Sequence, residues 1–210
     1  MPYFVNTFRI PKPGKFTAVA KGTEGSLKAT GKFGFVSIPV APRMPTAQSL
    51  AVIGTVTGFE TLDDVDAFVD ALVADDYAGF TARDDLSAMC DHFNWSVSRI
   101  ESPTVETPEG FVAKIISRSS VVSKPGRGPE LVDFLLEWRE EIDMPIKPII
   151  SVSLGGVAGM VRVSALTESL QAVEDFGRQT VASPRYGKLV ELTDGSTIRS
   201  VARITYINQP

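Results

Sequence analysis

Over the first hundred residues, the alternation of apolar and polar positions predicts strand, helix, strand, strand, helix, strand. "PYFVNTFRI", residues 2–10, is extended and aromatic-rich, and Pro11 and Pro13 stop it. From Lys15 to about Thr30, Phe16, Val19, Ala20 and Leu27 recur at helical spacing. Gly22 and Gly25 weaken such a helix by about 1 kcal/mol each relative to Ala. "FGFVSIPV" and "LAVIGTVTGF" read as strands, separated by the proline-bearing loop "APRMPTAQS". "TLDDVDAFVDALVADD" carries the clearest helical pattern. Thr61 stands at the N-cap, Asp63 and Asp64 occupy the first turn, and Leu62, Val65, Val69 and Leu72 form one stripe. A second helical stretch is expected from Ala82 to Cys90, with "FNWSVSRI" as the closing strand.

"ESPTVETPEG", Glu101 to Gly110, has two prolines and almost nothing to bury, so it reads as a connection. The pattern then starts again. "VAKIISRSSVVS" is a strand, followed by a helix with Leu131, Phe134, Leu135 and Trp138 on one face. "IKPIISVSL" and "GMVRVSAL" form a hairpin around Gly155 and Gly156. "TESLQAVEDFGRQTV" is a helix with Leu170, Val173 and Phe176 as its stripe, and "RSVARITYI" is the last strand. Lys-Pro-Gly recurs at residues 12–14 and 124–126, each time after the first strand of its half. The second helices align in register, Leu62, Phe68 and Gly79 against Leu170, Phe176 and Gly187. The expected organisation is a first repeat at 1–103, a linker at 104–110 and a second repeat at 111–210.

A strand-helix-strand-strand-helix-strand unit folds as a ferredoxin-like sandwich, with both helices on one face of four antiparallel strands. The strands are apolar on both faces, as at Val5, Val36, Val52, Ile53 and Val56, so the uncovered face also needs burial. The expected fold class is α+β: two tandem ferredoxin-like repeats packed sheet to sheet as an intramolecular barrel. Charge fits this reading. Residues 1–44 carry seven Lys/Arg against Glu24 alone, and residues 45–104 carry two against eleven acids. A basic first helix beside an acidic second one accounts for that contrast without an external anion.

Composition excludes more than it proposes. Cys90 and His92 are the single cysteine and the single histidine, too few for the usual zinc sites or for a disulfide within the chain. "LGGVAG" lacks the spacing and the lysine of a phosphate loop. The acids Asp63, Asp66 and Asp70 read as first-turn and solvated-face residues, and no metal is expected. A net charge of −4 argues against a nucleic-acid surface. No basic start followed by an apolar run opens the chain, and no stretch is long enough to span a bilayer, so a cytoplasmic protein with no membrane partner is expected.

Strand, Lys-Pro-Gly-Lys, helix, hairpin and a second helix running into "VASPRYGKLVEL" together resemble the dimeric α+β barrel superfamily, which includes the antibiotic-biosynthesis-type monooxygenases. Amino-acid-binding ACT domains share the element order and the Pro-Gly start of the first helix, and stand as a competitor. The barrel resemblance implies a fused pseudo-dimer, with room for a further homodimer. It also implies a small organic ligand, apolar or aromatic, held in a cleft between helices and sheet. The alternative it implies is a cofactor-independent monooxygenase or isomerase acting on an aromatic or enolisable metabolite. A haem-degrading branch pairs an Asn on the first strand with a Trp and a His. Asn6 matches here, but the only histidine lies at the start of a closing strand, so no cofactor is expected.

Six residues are candidates for substrate binding: Asn6, His92, Trp95, Arg118, Trp138 and Tyr186. Asn6 and Arg118 occupy equivalent places six residues before the two Lys-Pro-Gly corners, and polar side chains on inner strands cost free energy unless paired. His92 is a candidate general acid or base by its residue type. Trp95 shares a strand face with Phe93 and Val97 and reads first as barrel core. Trp138 continues an apolar stripe, and Tyr186, like Tyr77, sits beside a glycine where a phenol could meet substrate. Arg203 and Tyr206 on the last strand carry the same two readings, ligand contact or water.

Overall fold

The computed structural model describes residues 2–41, 51–103 and 107–209. Its elements are β1 (Tyr3–Pro11), α1 (Phe16–Ala29), β2 (Gly34–Ala41), β3 (Val52–Phe59), α2 (Leu62–Ala88) and β4 (Cys90–Ile100). There follow β5 (Ile115–Ser123), α3 (Gly128–Glu141), β6 (Ile149–Ser153), β7 (Met160–Thr167), α4 (Leu170–Ala182), α5 (Tyr186–Leu192) and β8 (Thr193–Asn208). The order is the expected one with α5 added. The expected loop from residue 42 onward and linker residues 104–106 lie outside the described residues. The eight described strands hydrogen-bond in the order β1-β3-β2-β8-β5-β7-β6-β4 and close into a barrel, so the fold is a mixed α+β barrel. None of the described helices is long and apolar enough to cross a membrane.

The chain divides into two compact units, residues 1–98 with 204–210, and residues 99–203. Both open with the same corner. In the first, Pro13 presets one turn position and Gly14, at φ 75°, takes the left-handed one, while the Lys15 amide donates to the Lys12 carbonyl at 3.0 Å. In the second, Gly126 is at φ 77° and the Arg127 amide donates to the Lys124 carbonyl at 3.0 Å. Proline at the second position and glycine at the third define a type II turn. The leading lysine also repeats its tie. The Lys12 amide donates to Met89 O and the Lys124 amide to Leu192 O, both at 2.9 Å, which anchors the end of the second-helix region in each unit.

In the first unit, β3 lies antiparallel between β1 and β2, and α1 packs closely on it. A Cβ at Gly54 would stand 2.7 Å from Thr7 Oγ1 and 3.1 Å from Thr23 Cγ2, so only glycine allows that approach. α2 runs unbroken for 27 residues, where the pattern predicts a break before Ala82. Gly79 does not end it, and the run continues to Leu86, which packs on α1 at Gly22. The basic α1 and the acidic α2 thus meet through an apolar contact. Val5, Val19, Leu27, Val36, Val52, Phe59, Val65 and Leu86 form the core, with the Cys90 thiol buried beside Leu86.

Thr61 and Asp64 cap α2 reciprocally. The Asp64 amide donates to Thr61 Oγ1 at 3.2 Å, and the Thr61 amide donates to Asp64 Oδ2 at 2.9 Å. These bonds, that to Thr61 first, hold the Asp64 carboxyl below its usual range. Thr61→Ala is expected to cost about 1 kcal/mol, read as a lower urea midpoint at unchanged slope.

In the second unit, β5 lies between β7 and β8, and β6 extends the sheet from β7. Val121, Leu131, Phe134, Leu135, Trp138, Ile150, Val161 and Leu192 form its core. Here the second-helix region is interrupted. Ser183 leaves helical geometry at ψ 137°, and Pro184, which has no amide to donate, separates α4 from α5. The Ser183 hydroxyl and carbonyl then accept from the Arg185 and Tyr186 amides, starting α5. Ion pairs tie α5 to α3: Arg185 with Glu137 and Glu141, Lys188 with Glu130 at 3.4 Å, and Arg127 with Glu191 at 3.9 Å.

Candidate functional site

A cleft of about 190 Å³ lies in the second unit, between the sheet and α3, α4 and α5. Its position follows from the strand register. Ser119 and Val121 of β5, Val163 of β7, Ile150 of β6 and Thr197 and Arg199 of β8 fall on the same sheet face, the one turned to the helices. Leu135 and Trp138 of α3, Phe176 and Thr180 of α4, and Tyr186 and Leu189 of α5 supply the opposing wall. The break at Pro184 lies beside this wall, between Val181 and Tyr186. Most of the lining is apolar, and its polar groups are few.

Two arginines reach the cleft and differ in what holds them. Arg139 is buried, donating from Nε to the Pro148 carbonyl at 2.8 Å and pairing with Glu140. Arg199 is exposed at the rim, directly across the ladder from Ser119. Among the described residues its side chain has no hydrogen-bond or ion-pair partner. A second hollow of about 190 Å³ shares Phe176 and is lined by Phe111, Met144, Pro145 and Leu166 together with Asp143, Glu168 and Asp175, three carboxylates where the cleft lining has none.

The corresponding place in the first unit is filled. Only about 30 Å³ remains there, between Thr7, Arg9, Thr23, Phe68 and Trp95. Arg9 stands three residues before its corner, as Val121 does in the second unit. The longer side chain occupies the space, with Nη1 donating to Thr7 Oγ1 at 2.7 Å and the guanidinium 4.9 Å from the Phe93 ring.

Of the six residues singled out from sequence, Trp138 and Tyr186 line the cleft. Trp138 is 5% exposed, its ring 5.5 Å from Phe134. Trp95 is 37% exposed beside the small first-unit hollow, which corrects its reading as barrel core. His92 lies exposed on β4, its Nε2 3.4 Å from Asn94 Nδ2. Asn6 is buried and accepts from the Thr55 hydroxyl at 2.8 Å.

Arg118 faces away from the cleft, on the same side of the sheet as its ladder partners Ser164 and Ser200. Its Nη atoms are shielded from solvent, and burial together with the like charge of Arg162 pulls its pKa down to about 9. Arg203 is exposed, Tyr206 donates to Asn208, and the side chain of Tyr77 lies outside the described residues. The residues missed were Ser119, Phe176 and Arg199. The available signal was positional, since Ser119 follows Arg118 and one step along a strand changes face.

No family model and no curated protein sequence matches the chain. Solved structures do match it. An anthrone oxidase-like protein superposes with a TM-score of 0.68 at 10% identity, covering 99% of this chain and 92% of that one. A candidate monooxygenase from Fusobacterium nucleatum subsp. nucleatum gives 0.70 at 10% identity, covering 99% and 94%. A mutant chlorite dismutase from Candidatus Nitrospira defluvii gives 0.56 at 12% identity, covering 98% and 91%. These neighbours share the dimeric α+β barrel. The chain has that fold, the one its sequence resembles. The cleft lining contains no histidine, cysteine or methionine, and Tyr186 is the one side chain in it of a kind that ligates haem iron.

Proposed function

We propose that the protein binds a small apolar or aromatic organic molecule in the second-unit cleft between sheet and helices. The single observation that carries this is the asymmetry between the units: one helix-facing hollow holds about 190 Å³ and the other about 30 Å³. Cores are close-packed, and an engineered apolar cavity of roughly 150 Å³ is enough to hold benzene. The duplicated corners and element order support two ferredoxin-like repeats as the frame, of which the second keeps the pocket. A cytoplasmic location and a further homodimer remain part of this reading, the dimer tested by light scattering.

The test is a calorimetric screen of aromatic and lactone compounds against the wild type and Val163→Trp. Val163 is a strand residue facing the cleft, and the larger ring is expected to fill the space and abolish binding while the fold persists by circular dichroism. A ligand that binds both proteins equally would place the site elsewhere.

A second reading is a cofactor-independent monooxygenase or isomerase acting on an aromatic or enolisable compound. It is favoured by the Tyr186 phenol and the Arg199 guanidinium at one cleft, groups suited to holding an enolate, and by the monooxygenase-like neighbours. Oxygen uptake or isomerised product on adding a bound ligand would establish it.

A further inference from the structure

The cleft carries charge of one kind at its rim, and α4 is shaped around it. An added Cβ at Gly177 of α4 would stand 2.9 Å from Arg199 Nη2 and 3.3 Å from Nη1. The guanidinium therefore rests against the helix where a side chain would collide with it. Ser119 lies directly across the β5–β8 ladder from Arg199 and also lines the cleft. Arg139, the other arginine of the lining, is occupied by the Pro148 carbonyl and Glu140. Beyond these groups the wall is largely hydrocarbon and aromatic, with Val121, Val163, Phe176 and Trp138.

From this arrangement we infer that the ligand is an aromatic carboxylic acid, its ring between Trp138 and Phe176 and its carboxylate on Arg199, with the Ser119 hydroxyl as a second donor. The inference rests on the cleft being the binding site and adds the class of ligand it takes. A planar guanidinium matches a carboxylate through two parallel N–H donors, and an apolar wall accepts the ring but not a second charge. Gly177 is then a specificity residue, since it leaves the guanidinium its place.

The experiment compares matched pairs by titration calorimetry: 1-naphthoate against 1-naphthamide, and benzoate against benzamide. The acid is expected to bind wild type about ten- to hundredfold more tightly than its amide, as charge-assisted hydrogen bonds do. Arg199→Gln removes that preference, bringing the affinity of the acid down to that of its amide. Arg199 is exposed, so the variant is expected to fold as wild type does. Gly177→Ala, which displaces the guanidinium, reduces the acid's advantage at least severalfold.

Equal binding of acid and amide to wild type overturns the carboxylate assignment and leaves the cleft reading standing. So does a preference that survives in Arg199→Gln. If neither member of either pair binds wild type, this assignment falls. If the broader aromatic and lactone screen is also silent, the cleft reading falls with it.

Discussion

Trp138→Ala is expected to lower stability by about 3–5 kcal/mol and to abolish ligand binding. Trp138 belongs to the second unit's core and to the cleft wall at once, 5% exposed and tilted against Phe134. Truncation removes a large buried surface and enlarges a hollow that is already open, so neighbours on rigid strands have little room to close over it. Because this variant could fail to fold, Trp138→Phe separates the two roles. It is expected to cost about 1–2 kcal/mol and to keep the fold, with affinity for a naphthyl ligand falling several-fold. Chemical denaturation and calorimetry read the two effects. Unchanged affinity in a folded Trp138→Phe protein would remove Trp138 from the site.

Arg118→Met is expected to act in the opposite direction, raising stability at pH 7 by on the order of 1 kcal/mol or more. The Nη atoms of Arg118 are shielded from solvent, and the positive charge of Arg162 lies near enough to oppose its own. Keeping that cation in the folded state costs free energy that the unfolded chain, with the guanidinium in water, does not bear. Methionine keeps an unbranched apolar stem and removes the charge.

The pH dependence has a definite sign. A cation whose folded pKa is lowered to about 9 binds fewer protons in the folded state than in the unfolded one above that pH. Stability of the wild type therefore rises, relative to Arg118→Met, from pH 9 toward the ordinary arginine range. The advantage of the variant is full at pH 7 and shrinks above pH 9. Urea midpoints of both proteins from pH 7 to 10.5 check this. A variant less stable than wild type at pH 7, or a gap that does not change with pH, would contradict it. Arg118 faces away from the cleft, so naphthyl affinity is expected to stay within about twofold.

These residues show where sequence reading works and where it stops. Asn6 and Arg118 were singled out because they differ at matched places before the two corners. The match is real in the structure, since both lie on the sheet face turned away from the helices. Periodicity finds a position on a strand, but it does not say which face opens onto empty space. The answer lay one residue on, at Ser119. Arg199 was equally hard to single out, since its meaning comes from Ser119, 80 positions back in the chain, and from Gly177 on another element. Trp138 was legible because a helical stripe and a tryptophan together point to packing at depth. Tyr186 was legible because it stands beside Gly187, nearly matched by Tyr77 beside Gly79 in the first half.

What the sequence determined alone was the element order, the two Lys-Pro-Gly turns and the apolar faces. Each depends on residues within a few positions of one another, through dihedral limits and side-chain periodicity. Only tertiary structure decided which half is hollow. Arg9 stands where Val121 does, and α2 runs unbroken to pack Leu86 on Gly22 where Pro184 divides the second half. Empty volume is what remains after side chains from several distant elements have packed, so no local pattern in the chain carries it.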